Sequence, residues 1–252
     1  MSTYNGSKYI EQQIQSLFAQ KEYINKIYIR DDGSTDQTIE IIKKCQNVQP
    51  NIINLINDNK GNLGPKDSFF SLCKYASSDF IAFCDQDDVW EPSKLRYFSD
   101  FINGNNIDGA NENALIHCDL EVVDGNLILI SPSFWKLMGI DHEDNVLDVS
   151  IRNTVTGCAC VISKALMHEY KGNSNGFNMH DHFYAAYAAL NNSVYRIHLP
   201  LIKYRQHENN CIGATLSSPK KSIYKKIATK KITDYPRAIH SKYAYDWDGL
   251  SN

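Results

Sequence analysis

Over its first hundred positions the chain alternates short apolar runs with amphipathic stretches, and the two have different periods. Ile27-Tyr28-Ile29 and Phe80-Ile81-Ala82-Phe83 are short and continuous, as buried strands are, whereas Thr38-Ile39-Glu40-Ile41-Ile42 has helical spacing. The pattern predicts helices over 7–20, 36–45 and 66–76, strands over 26–30, 52–56 and 80–84, and a further helix opened by Pro92. Ser34 with Gln37 three residues on has capping-box spacing and predicts the start of the second helix. Strands alternating with helices imply an α/β fold with a mixed, mostly parallel central sheet flanked by helices. Beyond Phe101 the periodicity loosens. A polar, Asn/Gly-rich turn over 103–113 precedes a strand over 114–118, and 131–153 reads as loops or short helices over an acceptor site. The small, β-prone 157–162 follows, and 181–191 reads as a helix whose Phe183, Tyr184, Tyr187 and Leu190 face the core.

Composition narrows the class. With 252 residues the chain suits one large domain, read here as 1–215, followed by a basic helical tail over 216–252. A net charge of −3 excludes nucleic-acid binding that rests on overall basicity. No run approaches the roughly 20 apolar residues of a membrane span, and the first residues lack a signal segment, so the expected location is the cytoplasm. From Lys220 to Lys242 eight Lys or Arg stand against one Asp, which reads as a solvated helix or as a peripheral contact with anionic lipid. Seven cysteines without a Cys-x-x-Cys pair read as buried free thiols, and Cys158 with Cys160 lacks the second pair that a zinc site needs.

The chemistry concentrates in two acidic turns that follow apolar runs. Asp85, Asp87 and Asp88 fall within four residues, and such carboxylates repel one another near a strand end unless a hard divalent cation or water intervenes. An extended backbone would point Asp85 and Asp87 the same way, toward one Mg²⁺ or Mn²⁺ whose shell is completed by waters and substrate phosphates. The second turn, Arg30-Asp31-Asp32-Gly33-Ser34-Thr35-Asp36, also links a strand to a helix. In an open parallel sheet both turns lie at the carboxyl edge, where ligands bind.

Taken in order, Thr3-Tyr4-Asn5-Gly6, Asp31-Asp32-Gly33-Ser34-Thr35-Asp36, Asn59-Lys60-Gly61-Asn62-Leu63-Gly64, Asp85-Gln86-Asp87-Asp88-Val89-Trp90, Thr156-Gly157-Cys158, His180-Asp181-His182 and Tyr204-Arg205-Gln206-His207 resemble glycosyltransferase family 2, especially its bacterial rhamnosyltransferase-like members. The resemblance spans roughly residues 2–215. It implies a GT-A fold, a nucleotide-diphosphate sugar donor (dTDP-rhamnose, or a UDP-hexose) and a divalent metal, Mg²⁺ or Mn²⁺. The acceptor it implies is a saccharide or lipid-linked hydroxyl in surface polysaccharide synthesis. Thr3, Tyr4, Asn5, Asp31, Asp32, Asn62, Asp85 and Gln86 would bind the nucleotide sugar, with Asp32 the foremost contact to base and ribose. Asp87, Asp85 and His207 would hold the metal. Asp181 would be the catalytic base of an inverting transfer, since a sugar hydroxyl is a poor nucleophile until its proton is removed. Family members carry several apolar residues ahead of the Thr-Tyr-Asn-Gly segment, so the resemblance also implies a truncated first strand. Two other readings stay open. A nucleotidyltransferase would want a Gly-rich, basic loop after the first strand, which 3–8 does not supply, and a non-catalytic sugar-nucleotide-binding protein would bind without turnover.

Overall fold

The computed structural model describes residues 1–140, 149, 153–208 and 210. Strand β1 (Ser2–Thr3) leads through a loop to helix α1 (Ile10–Phe18), β2 (Ile27–Asp31), α2 (Thr38–Val48), β3 (Ile53–Ile56) and α3 (Gly64–Cys73). β4 (Phe80–Ala82), β5 (Val89–Trp90), α4 (Lys94–Gly104), β6 (Leu115–Val123), β7 (Leu129–Ser131) and α5 (Phe134–Met138) follow. The described chain closes with β8 (Cys160–Ser163), α6 (Lys164–Met167), α7 (His180–Ala189) and β9 (Val194–Arg205). Each strand predicted in the first hundred residues is present, and α2 begins two residues later than expected. No described helix is long and apolar enough to cross a membrane. The basic run 220–242 and most of 141–152 lie outside the described residues.

β1, β2 and β3 pair in parallel, as their intervening helices require. The second sheet runs β4-β8-β6-β9-β5, with β7 beside β6. Within it β6 and β9 are parallel and the other neighbours antiparallel. The strand pairing is thus mixed, parallel throughout β1-β2-β3 and at β6-β9 of the second sheet. Helices α1 and α4 help to cover one face, around Ile14, Leu17 and Phe98. Helices α3 and α7 join the other core cluster, around Phe70, Phe183 and Tyr184.

Two local expectations are revised, and one strand was not foreseen. Ser34 does not cap α2: its hydroxyl donates to Asp31, while Asp36 accepts from Thr38 N at 3.0 Å and from the Thr38 hydroxyl. Pro92 does not open α4, which starts at Lys94 after the short strand β5. The twelve-residue β9 carries Pro200, and the register beside Asp119 shifts there, so a bulge absorbs the missing donor. All six described cysteines are buried free thiols, as read from their surroundings.

Two polar features matter for stability. Arg30 is buried, and its guanidinium reaches Asp58 at 3.0 and 3.3 Å, the Gly61 carbonyl at 2.6 Å and the Asp32 carboxylate. This fixes the 58–64 loop against β2, and the Arg30 hydrogen bond draws the Asp58 carboxyl down to about 2. The second feature is a cavity of about 440 Å³ lined by Ile27 and Tyr28 of β2, by Phe80 to Ala82 of β4, and by Met1. Met1 N donates to Tyr28 O at 2.7 Å, and burial lowers the pKa of this amine.

Arg30→Met removes the buried counter-charge of Asp32 and Asp58, leaving Asp58 only the exposed Lys60 at 3.9 Å, and should destabilise the fold by about 3 to 5 kcal/mol. In thermal melts that is a drop on the order of 10 °C, and a loss below about 1 kcal/mol would match a surface pair instead. Because the folded value of Asp58 is depressed, its contribution is present above the unfolded carboxylate value of about 3.9. It fades as pH falls toward 2, and the variant should lose that part of the acid dependence. The cavity gives a second expectation. The pairing Ser2↔Arg30 sets Met1 opposite Ile29, so four added residues ahead of Met1 would lie opposite Asn25 to Tyr28. A Val/Ile extension of that length should raise the melting midpoint by about 5 °C. A Ser/Asp extension should not, and equal midpoints for the two would contradict the packing described.

Candidate active site

The loop after β1 and the turn after β2 are stitched together by side chains acting on backbone. Asn5 adopts a left-handed conformation, φ 47°. Its amide donates to Ser34 Oγ at 2.8 Å and its side-chain oxygen accepts from Thr35 N at 2.8 Å. Gly6 N donates to Thr38 Oγ1 at 2.8 Å and Ser7 N to Asp36 Oδ2 at 3.0 Å. Burial acts to raise the Asp36 pKa, but the bonds from Thr38 and Ser7 outweigh it and leave the carboxyl at about 2. Asp31 accepts from the amides of Gly33 and Ser34 and from Thr3 Oγ1 at 2.9 Å. Asp31 and Asp36 thus tie the backbone of the loop after β1 to that of the turn after β2.

Asp32 goes the other way. Its side chain is buried, accepts from Leu63 N and Gly64 N at 2.7 Å each, and pairs with Arg30. With these partners it anchors the start of α3 and has little capacity left for a ligand. Asn62 donates to Asp32 O at 2.9 Å while its own oxygen takes Gly64 N at 3.2 Å. Of the acidic pair singled out in the sequence, Asp32 is buried among backbone amides and Arg30, while Asp31 is half-buried and bonds to its own turn and to Thr3. Proximity in sequence concealed this, because adjacent residues leaving a strand point to opposite sides.

The acidic turn 85–88 is bent at Gln86 and Asp87 rather than extended, so strand alternation does not set where its carboxylates point. Donor atoms of Asp85, Asp88 and Cys158 instead lie within 4.8 Å of one another. Asp88 is fully buried; its Oδ1 accepts from Arg205 N at 3.1 Å, and its Oδ2 has no hydrogen-bond partner among the described residues. Asp87 faces His207, Nε2 to Oδ2 2.9 Å. Burial, with the negative charges of Asp87 and Asp181 beside it, raises the Asp85 carboxyl to about 7. Burial, followed by Asp87 and Asp85, pushes Asp88 well above the ordinary carboxylate range. A cluster of acids this strained suits a divalent cation. Among the described residues Asp85, Asp88 and Cys158 are the group whose donor atoms lie close enough to share one ion, and the Asp87–His207 pair adds a carboxylate and an imidazole of the types that divalent cations accept.

Arg205 went unnoticed in the sequence because it bonds mostly to backbone. It is buried, donates to Asp87 O at 2.6 Å, Gly125 O at 2.8 Å and Gln12 Oε1 at 2.6 Å, and lies over the Tyr9 ring. It thereby fixes the acidic turn from behind, and it ends β9, the strand that the apolar pattern did not announce.

Asp181 comes from a different element and lies near enough to Asp85 to raise its pKa. It lies in the first turn of α7, whose N-cap is Met179, so capping is not its task. Its Oδ1 accepts from His182 N at 2.6 Å and Asn153 Nδ2 at 3.2 Å. Burial raises its pKa to about 6, against the lowering effect of those bonds and of the Gly157 amide. Gly157 stands close: a Cβ there would lie 3.0 Å from His180 Nε2 and 3.3 Å from Asp181 Oδ2. His180 is packed between Phe69 and Phe83, and desolvation there keeps the ring neutral. A buried carboxylate near neutrality is suited to taking up a proton.

Comparison with known proteins bears on this arrangement. The profile of glycosyl transferase family 2 matches residues 1–170. A dTDP-rhamnosyl transferase, RfbG of Shigella flexneri, is 33% identical over 95% of this chain and 82% of its own length. Among solved structures, TarS of Staphylococcus aureus in complex with UDP-GlcNAc superposes with a TM-score of 0.61 at 21% identity, over 83% of this chain. The mannosyltransferase PcManGT of Pyrobaculum calidifontis, with GDP-Man and Mn²⁺, gives 0.57 at 16% identity over 79% of this chain. The chain spans 58% and 53% of those two structures, which bear on fold alone. A mixed sheet flanked by helices, with acidic turns gathered at the strand ends, is here a GT-A fold, and the chain belongs to glycosyl transferase family 2.

Proposed function

We propose that this glycosyltransferase moves a sugar from a nucleotide-diphosphate donor to a hydroxyl acceptor in one displacement, with inversion, and that Asp181 is its base. The observation that carries the reading is the Asp181 carboxylate, buried at the start of α7, raised to about 6 and electrostatically linked to Asp85. The acceptor oxygen attacks the anomeric carbon as its bond to the diphosphate breaks, and the hydroxyl proton passes to Asp181. Thr3, Tyr4, Asn5 and Asp31 border the nucleotide, the half-exposed Tyr4 ring supplying a face for the base. Asp87, Asp85 and His207 hold Mg²⁺ or Mn²⁺, which when bound stabilises the charge on the departing diphosphate.

The donor we assign is dTDP-rhamnose, on the strength of the Shigella relative's name and its near-complete overlap. For the acceptor we assign a saccharide or lipid-linked hydroxyl of a surface polysaccharide. The basic run 220–242 offers an anionic membrane surface a peripheral contact from the cytoplasmic side.

Asp181→Asn should lower kcat by about 10³-fold or more while donor affinity, read by calorimetry, stays within about twofold of the parent's. Turnover equal to the parent's would remove Asp181 as base. The parent's kcat/KM should fall below about pH 6 as that carboxylate takes its proton, and a flat profile down to pH 5 would contradict it. Chelation with EDTA should abolish transfer and added Mn²⁺ or Mg²⁺ restore it; full activity in chelator would exclude the cation.

A further inference from the structure

We infer that Gln86 is a positioning residue that clamps the loop after β1 to the acidic turn and so presets the donor site. This rests on the proposed donor site, and it replaces the direct donor contact expected from sequence. Gln86 Oε1 accepts from Tyr4 N at 2.9 Å, and Nε2 donates to Tyr4 O at 3.0 Å. One carboxamide thus satisfies both main-chain groups of a single residue, as a neighbouring strand would. Gln86 stands between Asp85 and Asp87, so the bonds run from the proposed cation turn to the proposed nucleotide rim.

Gly6 makes room for the clamp. A Cβ on Gly6 would lie 2.2 Å from Gln86 Oε1 and 2.5 Å from its Cδ. No L side chain fits there while the carboxamide stays in place. Because the obstructing atoms are the end of a flexible side chain, an added methyl would expel the carboxamide rather than unfold the loop. The opposite side of the loop is held separately, through Asn5, Gly6 and Ser7 to the 34–38 turn. Tyr4 and Asn5 are both exposed, so little packing would hold their backbone once the amide pair is gone. A loop that must be ordered by the donor weakens donor binding by that ordering free energy, while the chemistry at Asp181 is barely altered.

The test pairs two variants that break the clamp from opposite ends, Gln86→Met and Gly6→Ala. Each should raise the donor KM about tenfold with kcat reduced much less. The double variant should be no worse than either alone, since both remove one interaction. Hydrogen exchange in donor-free protein should show the Tyr4 amide at least about tenfold faster in both variants, with the amides of β6 unchanged. An unchanged Tyr4 amide overturns the clamp. So does a Gly6→Ala protein with normal KM beside an impaired Gln86→Met protein, because that pattern marks direct contact with the donor. If the parent binds no nucleotide sugar, the proposed function fails while the exchange measurement still decides the clamp.

Discussion

Negative charge gathered at the strand ends is the constraint around which the rest of this molecule is arranged. Asp85, Asp88 and Asp181 are all raised above the ordinary carboxylate range by desolvation, to which repulsion from neighbouring carboxylates adds at Asp85 and Asp88. The protein answers with partial charges: backbone amides at Asp181, the Arg205 amide at Asp88, and His207 at Asp87. The Arg205 guanidinium points to the carbonyl of Asp87 rather than to a carboxylate, so it holds the turn's shape without neutralising it. Asp85 and Asp88 are left with a raised affinity for protons, the electrostatic condition on which the proposed cation site rests.

The other acids are put to a different use. Asp31, Asp32, Asp36 and Asp58 each accept two or more hydrogen bonds from backbone or from Arg30. They build the loops after β1, β2 and β3 into one rigid rim, at the edge of the sheet where no regular ladder satisfies the backbone. Gln86 connects that rim to the cation turn. Preorganisation of this kind lets a donor bind without first ordering its own site, which is where a transferase gains most from its scaffold.

Much of this was legible in sequence. The parallel β-α alternation, both acidic turns and the helix that carries Asp181 all follow from apolar periodicity and from where carboxylates fall. The hidden parts involve partners distant in sequence. Strand β9 is masked by Pro200, whose missing donor a bulge absorbs. The inward turn of Asp32 depends on the amides of Leu63 and Gly64, about thirty residues away. Ser34 has the spacing of a helix cap yet bonds to Asp31, because the carboxylate is the stronger acceptor. The approach of Asp88 and Cys158 to Asp85 arises from a bend in 85–88 that an alternating-strand argument cannot supply. Arg30 and Arg205, charged residues in apolar surroundings, were the available signals for buried networks.

The central claim, that opposed carboxylates at this edge gather around one divalent ion, is tested most directly by anomalous scattering from a crystal soaked with Mn²⁺ and a nucleoside diphosphate. The account predicts a single strong peak in contact with the Asp87 carboxylate and the His207 ring, with Asp181 on the far side of the diphosphate. A peak elsewhere, or none at saturating Mn²⁺ with Asp87 still hydrogen-bonded to His207, would contradict it.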